Sequence, residues 1–240
     1  MKKVLLAIAL LAGLLAALAF WAWHSLGFLA GFAIEQLAPR VLGVEVQVGE
    51  ASVIPREGLG RLRGVTIGNP PGFSSARAAR FGTVRVAVDT LTVLDPVVLV
   101  REIAIESPEI TFERGAGGSN LDAIQRNIQG RVKQAGAAPG PAAAIPGAER
   151  RYVIERFALR GARVTMTNPG LKGQGITFTL PDIELRDLGK RQNGITASEA
   201  ANIVATTLIT RIAQRLLTNL EALRQGGAQG ALDALKGLLK

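Results

Sequence analysis

The sequence predicts an α+β fold with an N-terminal transmembrane helix, a curved, mostly antiparallel β-sheet and a C-terminal amphipathic helix packed on or beside the sheet. Three observations predict it. An uncharged run extends from Val4 to Ile34. Apolar and polar residues then alternate, as in Val44-Glu45-Val46, which is typical of half-buried strands. A helical apolar spacing returns near the C-terminus.

These patterns divide the 240 residues into five segments. They are a membrane anchor with a juxtamembrane helix (1–38), a first β segment (39–129), a linker rich in Ala, Pro and Gly (130–150), a second β segment (151–190) and C-terminal helices (191–240). A short helix is expected at 119–129. The linker has no periodicity and buries too little apolar surface to offset its ordering entropy, so we predict that it is flexible.

The anchor is predicted from length and flanking charge. Lys2 and Lys3 favour a cytoplasmic N-terminus, which places the body outside the cytoplasm. A helix from Val4 to Trp23 is about 30 Å long, enough to cross the hydrocarbon core. A helix over residues 26–37 is expected to follow, ending before a proline. The anchor residues are Val4, Leu10, Leu15, Phe20, Trp21 and Trp23.

A cleaved signal peptide is the alternative to a retained anchor. Ala17-Leu18-Ala19 is an acceptable cleavage site after a suitable apolar stretch. Cleavage would leave Phe20-Trp21 at the start of the mature chain. Both alternatives predict export, and the second predicts a soluble body.

A repeat of apolar residues spaced +2, +5, +2 occurs four times in the β segments, and a proline or glycine lies near the +5 step of each unit. An odd step moves the second pair to the opposite face of an unbroken strand, but a bulge or turn restores the face. The repeat therefore predicts a curved sheet with one continuous apolar surface, or else ordinary sandwich strands with turns. The units are Leu91/Val93/Val98/Val100, Ile103/Ile105/Ile110/Phe112, Phe157/Leu159/Val164/Met166 and Ile176/Phe178/Ile183/Leu185.

The C-terminal helix begins with a capping box, Thr196-Ala197-Ser198-Glu199. One amphipathic face follows it, which either covers the sheet or lies on a membrane or partner. The apolar positions of that face are Ile203, Leu208, Ile212, Leu216, Leu220 and Leu223.

Composition excludes several kinds of chemistry. There is no cysteine, and the single histidine is His24, so disulfides, thiolate or histidine metal sites and a Ser-His-Asp triad are excluded. The net charge of +9 comes from scattered basic residues without interleaved aromatics, which does not favour nucleic acid. We expect no enzyme activity, no catalytic or metal-binding residues and no cofactor. The densest acidic cluster, Glu102, Glu106, Glu109 and Glu113, is expected to lie on polar strand faces.

Several motifs, in order, resemble the AsmA-like envelope proteins. After the basic single-span N-terminus come Leu42-Gly43-Val44-Glu45-Val46 and then Val65-Thr66-Ile67-Gly68-Asn69-Pro70-Pro71-Gly72-Phe73. Val84 to Asp89, Ile103 to Ile110 and Ser119-Asn120-Leu121 follow. The resemblance is best over residues 1–125, and residues 151–225 look like the ending of short members of that group.

The resemblance implies a bacterial inner-membrane protein with a periplasmic body, a taco-shaped or chorein-like β-groove, and a role in lipid transport or outer-membrane biogenesis. Phospholipid, the inner membrane and an envelope protein are the partners expected on this basis. The candidate groove-lining residues are Ile103, Ile105, Ile110, Phe112, Val164, Met166, Ile176 and Phe178. The alternative is an anchored periplasmic scaffold with a closed core and no lipid cargo. Coverage of these residues by the C-terminal helix distinguishes the two.

Overall fold

The computed structural model describes residues 27, 29–137, 150–167 and 176–225. The α+β class and a curved, unclosed sheet are confirmed. The helices are α1 (29–42), α2 (Asn120–Ala137) and α3 (Ala197–Gln225). The strands are β1 (Val46–Gln47), β2 (Glu50–Ile54), β3 (Leu59–Ile67), β4 (Ala79–Val88), β5 (Val97–Glu106), β6 (Glu109–Gly115), β7 (Gly118–Ser119), β8 (Arg151–Arg160), β9 (Arg163–Thr167), β10 (Ile176–Thr179) and β11 (Ile183–Leu188).

The strands of the described residues form one mixed sheet. Four of its long strands are each interrupted once and so consist of two segments: β1–β2, β5–β6, β8–β9 and β10–β11. With the continuous strands β3 and β4, they lie in the order β1–β2, β3, β4, β5–β6, β8–β9, β10–β11. The pairs β5–β8 and β6–β9 are parallel, and the other pairs are antiparallel. The parallel pairing requires the crossover that contains α2.

The interruptions lie in one row across the sheet. The pairs on either side of each interruption keep one register, so the interrupted residues of neighbouring strands are opposite one another. We call this row the crease. It consists of Gly49, Gly64, Gly82, Ser107, Gly161 and Pro181.

Backbone geometry at the crease explains the +5 step in the sequence. Gly64, Ser107 and Gly161 have φ values of +63°, +48° and +62°, in the left-handed region that suits a bulge. Each interruption shifts the side-chain alternation by one position. Ile105 before the crease and Ile110 after it are therefore both in the hydrophobic core. The predicted continuous apolar surface is confirmed for the last three repeat units.

For the first half of the first repeat unit, the prediction of a strand on the apolar face is wrong. Leu91 is 87% exposed, and the segment Thr90–Thr92 is a 3₁₀ turn. The Asp89 side chain accepts a hydrogen bond from the backbone N–H of Leu91 and caps this turn. Val98 and Val100 lie in β5 and are buried, as the repeat predicts.

Helix α1 covers the outer edge of β1–β2. The Glu35 carboxylate accepts a hydrogen bond of 2.6 Å from the backbone N–H of Val48, and a Cβ at Gly31 would lie 3.3 Å from that of Ala51. Covering an edge in this way satisfies strand groups that would otherwise be unpaired. The prediction that this helix ends before Pro39 is wrong. It continues to residue 42 because Val41 and Leu42 pack on the core.

The other two helices begin at capping boxes. In α3 the Thr196 hydroxyl accepts from the N–H of Glu199, and the Glu199 carboxylate accepts from the N–H of Thr196, as predicted. Ser119 and Asp122 make the same exchange at the start of α2. The predicted end of this helix at 129 is wrong, since α2 continues to Ala137 through residues assigned to the linker. Residues 138–149 lie outside the described part of the chain.

Replacing Gly161 by Ala should destabilise the protein by about 1–2 kcal/mol, because an L residue is strained at its φ of +62°. The free energy of unfolding of the full chain, measured by chemical denaturation in a mild detergent, tests this. Gly82→Ala is the matched control in the same row. A Cβ there lies 3.7 Å from its nearest neighbour, the carbonyl oxygen of Glu106, and its φ is not positive. Equal losses in the two variants would contradict a backbone requirement specific to Gly161.

Candidate functional site

The eight candidate groove residues lie on one face of the sheet and in one hydrophobic cluster. Six of them form two rows across β6, β9 and β10, on one side of the crease. In the first row, Ile110 lies opposite Val164 and Val164 lies opposite Phe178. The second row joins Phe112, Met166 and Ile176 in the same way. The remaining two, Ile103 and Ile105, lie on the other side of the crease, on β5.

These residues are covered rather than exposed. Val164, Met166 and Ile110 are 0%, 1% and 2% exposed. Ile105 and Phe112 are also buried, while Ile103, Ile176 and Phe178 are partly buried. The apolar face is therefore a packed interior in this conformation.

All three described helices contribute to this covering. Ile212 and Leu216 of α3 are 0% and 5% exposed and belong to the same cluster as the candidate residues. Ile34 of α1 packs against that cluster. Coverage by the C-terminal helix, which was left open from the sequence, is thus observed.

Sequence reasoning missed the contribution of α2. Leu121, Ile124 and Ile128 are 8%, 8% and 1% exposed and lie in the same cluster. Their spacing of three and four residues is the helical signal that would have identified them. The side-chain amide of Gln125 on this helix donates to the Thr206 hydroxyl of α3 at 2.8 Å, so the two covering helices are joined.

A buried polar cluster joins two of the sequence motifs, the one at residues 65–73 and the one at residues 119–121. Asn120 donates through Nδ2 to the side-chain oxygen of Asn69 and to the carbonyl of Thr111, each at 2.8 Å. Its Oδ1 accepts from the N–H groups of Glu113 and Leu121. The Asn-Pro-Pro-Gly turn is thereby fixed against the start of α2.

Glu113 fixes the same turn from the other side. Its carboxylate accepts 2.7 Å hydrogen bonds from the backbone N–H and hydroxyl of Ser74 and from the N–H of Ser75. Burial acts to raise the pKa of Glu113, but the bonds from Ser75 and Ser74 outweigh it and hold the pKa below its ordinary value of 4.5. Glu113 is 1% exposed, so these bonds replace solvation of its charge.

The other acidic candidates lie on the polar face, as expected. Glu102 pairs with Arg156, Glu106 pairs with Arg85, and Glu109 is exposed. Within the described ranges no group of three or more His, Cys, Asp or Glu residues is arranged to hold a metal ion.

A shallow depression lies mainly on the polar face, across β2 to β5. Its volume is about 170 Å³, and its lining includes Ile54, Leu59, Arg61, Arg85 and Glu102. Small-molecule sites typically have volumes of roughly 300–1,000 Å³. This depression is too small for a phospholipid, so it is not a candidate for the groove.

The predicted anchor residues, Val4 to Trp23, lie outside the described residues. In the part of the chain that the structure describes, no helix is both long and apolar enough to cross a membrane. No protein-family model matches this sequence, and no curated protein matches it.

Replacing Glu113 by Gln should reduce the free energy of unfolding at pH 7 by about 2 kcal/mol, because the hydrogen bonds lose a charged acceptor. The lowered pKa means that wild-type carboxylate stabilisation is complete above pH 4.5 and is lost as the pH falls through the lower folded-state value. The gap between wild type and variant should therefore shrink below pH 4.5. Denaturation curves of the full chain from pH 7 to pH 3 test this.

Glu109→Gln is the control for this measurement, since Glu109 is exposed on the same strand as Glu113. It should leave the unfolding free energy nearly unchanged. A gap for Glu113→Gln that stays constant with pH would show that the carboxylate charge is not the source of stability.

Proposed function

We propose that this protein is an inner-membrane-anchored, periplasmic AsmA-like protein that binds phospholipid on the apolar face of its curved sheet. In this proposal it assists lipid transport or envelope biogenesis. The observation that carries it is the apolar face itself, which continues from Ile103 and Ile105 across the crease to both rows of candidate residues. A continuous apolar strip on a curved, unclosed sheet has the length and chemistry to hold acyl chains.

Because that face is covered, lipid entry requires one of the helices to move, and α3 is the best candidate. The first turns of α3 pack on the core through Val204 and three alanines, Ala200, Ala201 and Ala205, and each alanine buries little apolar area. Asn202 on the same helix buries its Oδ1 without a hydrogen-bond partner among the described residues, which reduces the stability of the packed position of α3. Acyl chains would replace the same apolar contacts when α3 moves away.

A closed-core scaffold without lipid cargo is the second candidate function. The observation that favours it is the burial of Val164 and Met166, at 0% and 1% exposure. Such burial equals that of an ordinary protein interior, which has no space for a ligand. In this candidate function α3 remains in place.

Locking α3 to α2 should abolish lipid binding if the first proposal is correct. The chain has no cysteine, so Gln125→Cys and Thr206→Cys introduce a unique pair at a contact of 2.8 Å in the wild type. A short bis-maleimide bridges the pair in the full chain reconstituted into phospholipid vesicles. A photoactivatable phospholipid should label peptides from 151–188 before bridging, and the labelling should be lost after it.

Two controls accompany the experiment. Each single-cysteine variant, treated with the same reagent, should keep its labelling, because no bridge forms. Labelled peptides from residues 1–26 report that the probe reached the protein. Label on those peptides but none on 151–188, with or without the bridge, would refute the lipid proposal and leave the scaffold as the better candidate.

A further inference from the structure

The loop between β4 and β5 presents two leucines to solvent from an ordered backbone. Leu91 and Leu94 are 87% and 88% exposed, the highest values among the exposed large hydrophobic residues of the described chain. The Thr92 hydroxyl accepts from the N–H of Leu99 at 2.9 Å, and the Val93 carbonyl accepts from the Arg150 guanidinium at 2.7 Å. The leucines are thus held outward by hydrogen bonds within and around the loop.

The end of the sheet that carries this loop is rich in arginine. Asp89 and Asp187 there form ion pairs with Arg101 and Lys190, so these charges cancel. Two further segments lie at this end of the sheet. The 55–58 turn is there because Gly58 lies against Thr90, and the segment around Gly194 is there because its carbonyl accepts hydrogen bonds from Arg151. The other charged residues at this end are the arginines at 56, 150, 151 and 191 and the acidic residues Glu57, Asp95 and Glu155.

Helix α1 begins near this same end. Gly43, just after α1, lies against Asn127, Gly31 lies against Ala51 and Val48, and Gly27 lies against Ala51 and Ser52. Helix α1 therefore runs antiparallel to β1–β2, and its N-terminal end points towards the 55–58 turn. The apolar segment Val4 to Trp23 joins the body through that end of α1.

We propose that the Leu91–Leu94 loop inserts into the surface of a phospholipid bilayer, with Arg150 and Arg191 beside it at the phosphate groups. This inference rests on the proposed function, because the bilayer is the one that holds the anchor. Two exposed leucines supply apolar burial, and the arginines supply hydrogen-bond donors for lipid phosphates, the pairing typical of interfacial membrane contacts. The sheet then stands with the 89–96 loop end on the membrane and the β6–β7 turn away from it.

The experiment uses a single cysteine in the full chain, which has none of its own. Leu91→Cys carries an environment-sensitive fluorophore, and the protein is reconstituted into phosphatidylcholine vesicles with or without phosphatidylglycerol. Dibrominated phospholipid quenches a label that contacts acyl chains. Ala116→Cys is the matched control, because it is exposed at the opposite end of β5–β6, roughly 60 Å along the strand.

Quenching of the label at position 91 but not at 116, in vesicles with and without phosphatidylglycerol, is the expected result. Adding Leu94→Asp to the Leu91→Cys protein should reduce the inserted fraction roughly tenfold, since one buried leucine is replaced by a charge. Equal, low quenching at both positions in a protein that floats with the vesicles would overturn the inference and leave the anchor intact. A protein that does not float with vesicles would overturn the anchor and the inference together.

Discussion

The crease is the constraint on which the rest of this structure depends. Each of the six long strands changes its side-chain alternation at the same row, so the core residues on the two sides of that row lie on one face of the sheet. If one strand lacked the interruption, half of its apolar residues would face solvent. Gly64 and Gly161 allow the positive φ that this shift needs, and Ser107 adopts it between them.

Hydrogen bonds at the same row join neighbouring strands across the interruptions. The N–H of Ser107 donates to the carbonyl of Arg160, and the N–H of Arg163 donates to the carbonyl of Pro108, each at 2.8 Å. The side chain of Asp182 accepts from the N–H of Gly161 at 3.1 Å. The strands therefore keep their register across the crease, and the result is a single apolar surface over six strands.

That surface requires a cover, and the chain supplies it from three different parts of its sequence. Helix α1 lies along one edge, α2 arises within the crossover between parallel strands, and α3 follows the last strand. The Asn127 side chain donates to the carbonyl of Leu42, and Gln125 donates to Thr206, so α2 contacts both of the others. Any lipid that reaches the candidate residues must displace one of these helices, and in our proposal that helix is α3.

Local sequence determined which strand residues are apolar and where the helices begin. A period of two, an odd step of five and a capping box are each decided within a few residues, so they are readable without a partner. The end of α2 was not readable in this way, because its last turns have the composition of the linker. The exposure of Leu91 could not be predicted from the sequence either. Its spacing matches that of a strand residue, whereas in the structure Asp89 caps a turn at this position.

Only the tertiary structure decided the order of the strands, the parallel pairing of β5 with β8 and the alignment of the interruptions into one row. These depend on hydrogen bonds between residues far apart in sequence, for which no single segment holds a preference. The tertiary structure also decided that the candidate groove residues are covered, because a strand with one apolar face has the same pattern under a helix or under a ligand. The sequence alone therefore determined the apolar face, and packing determined what lies on it.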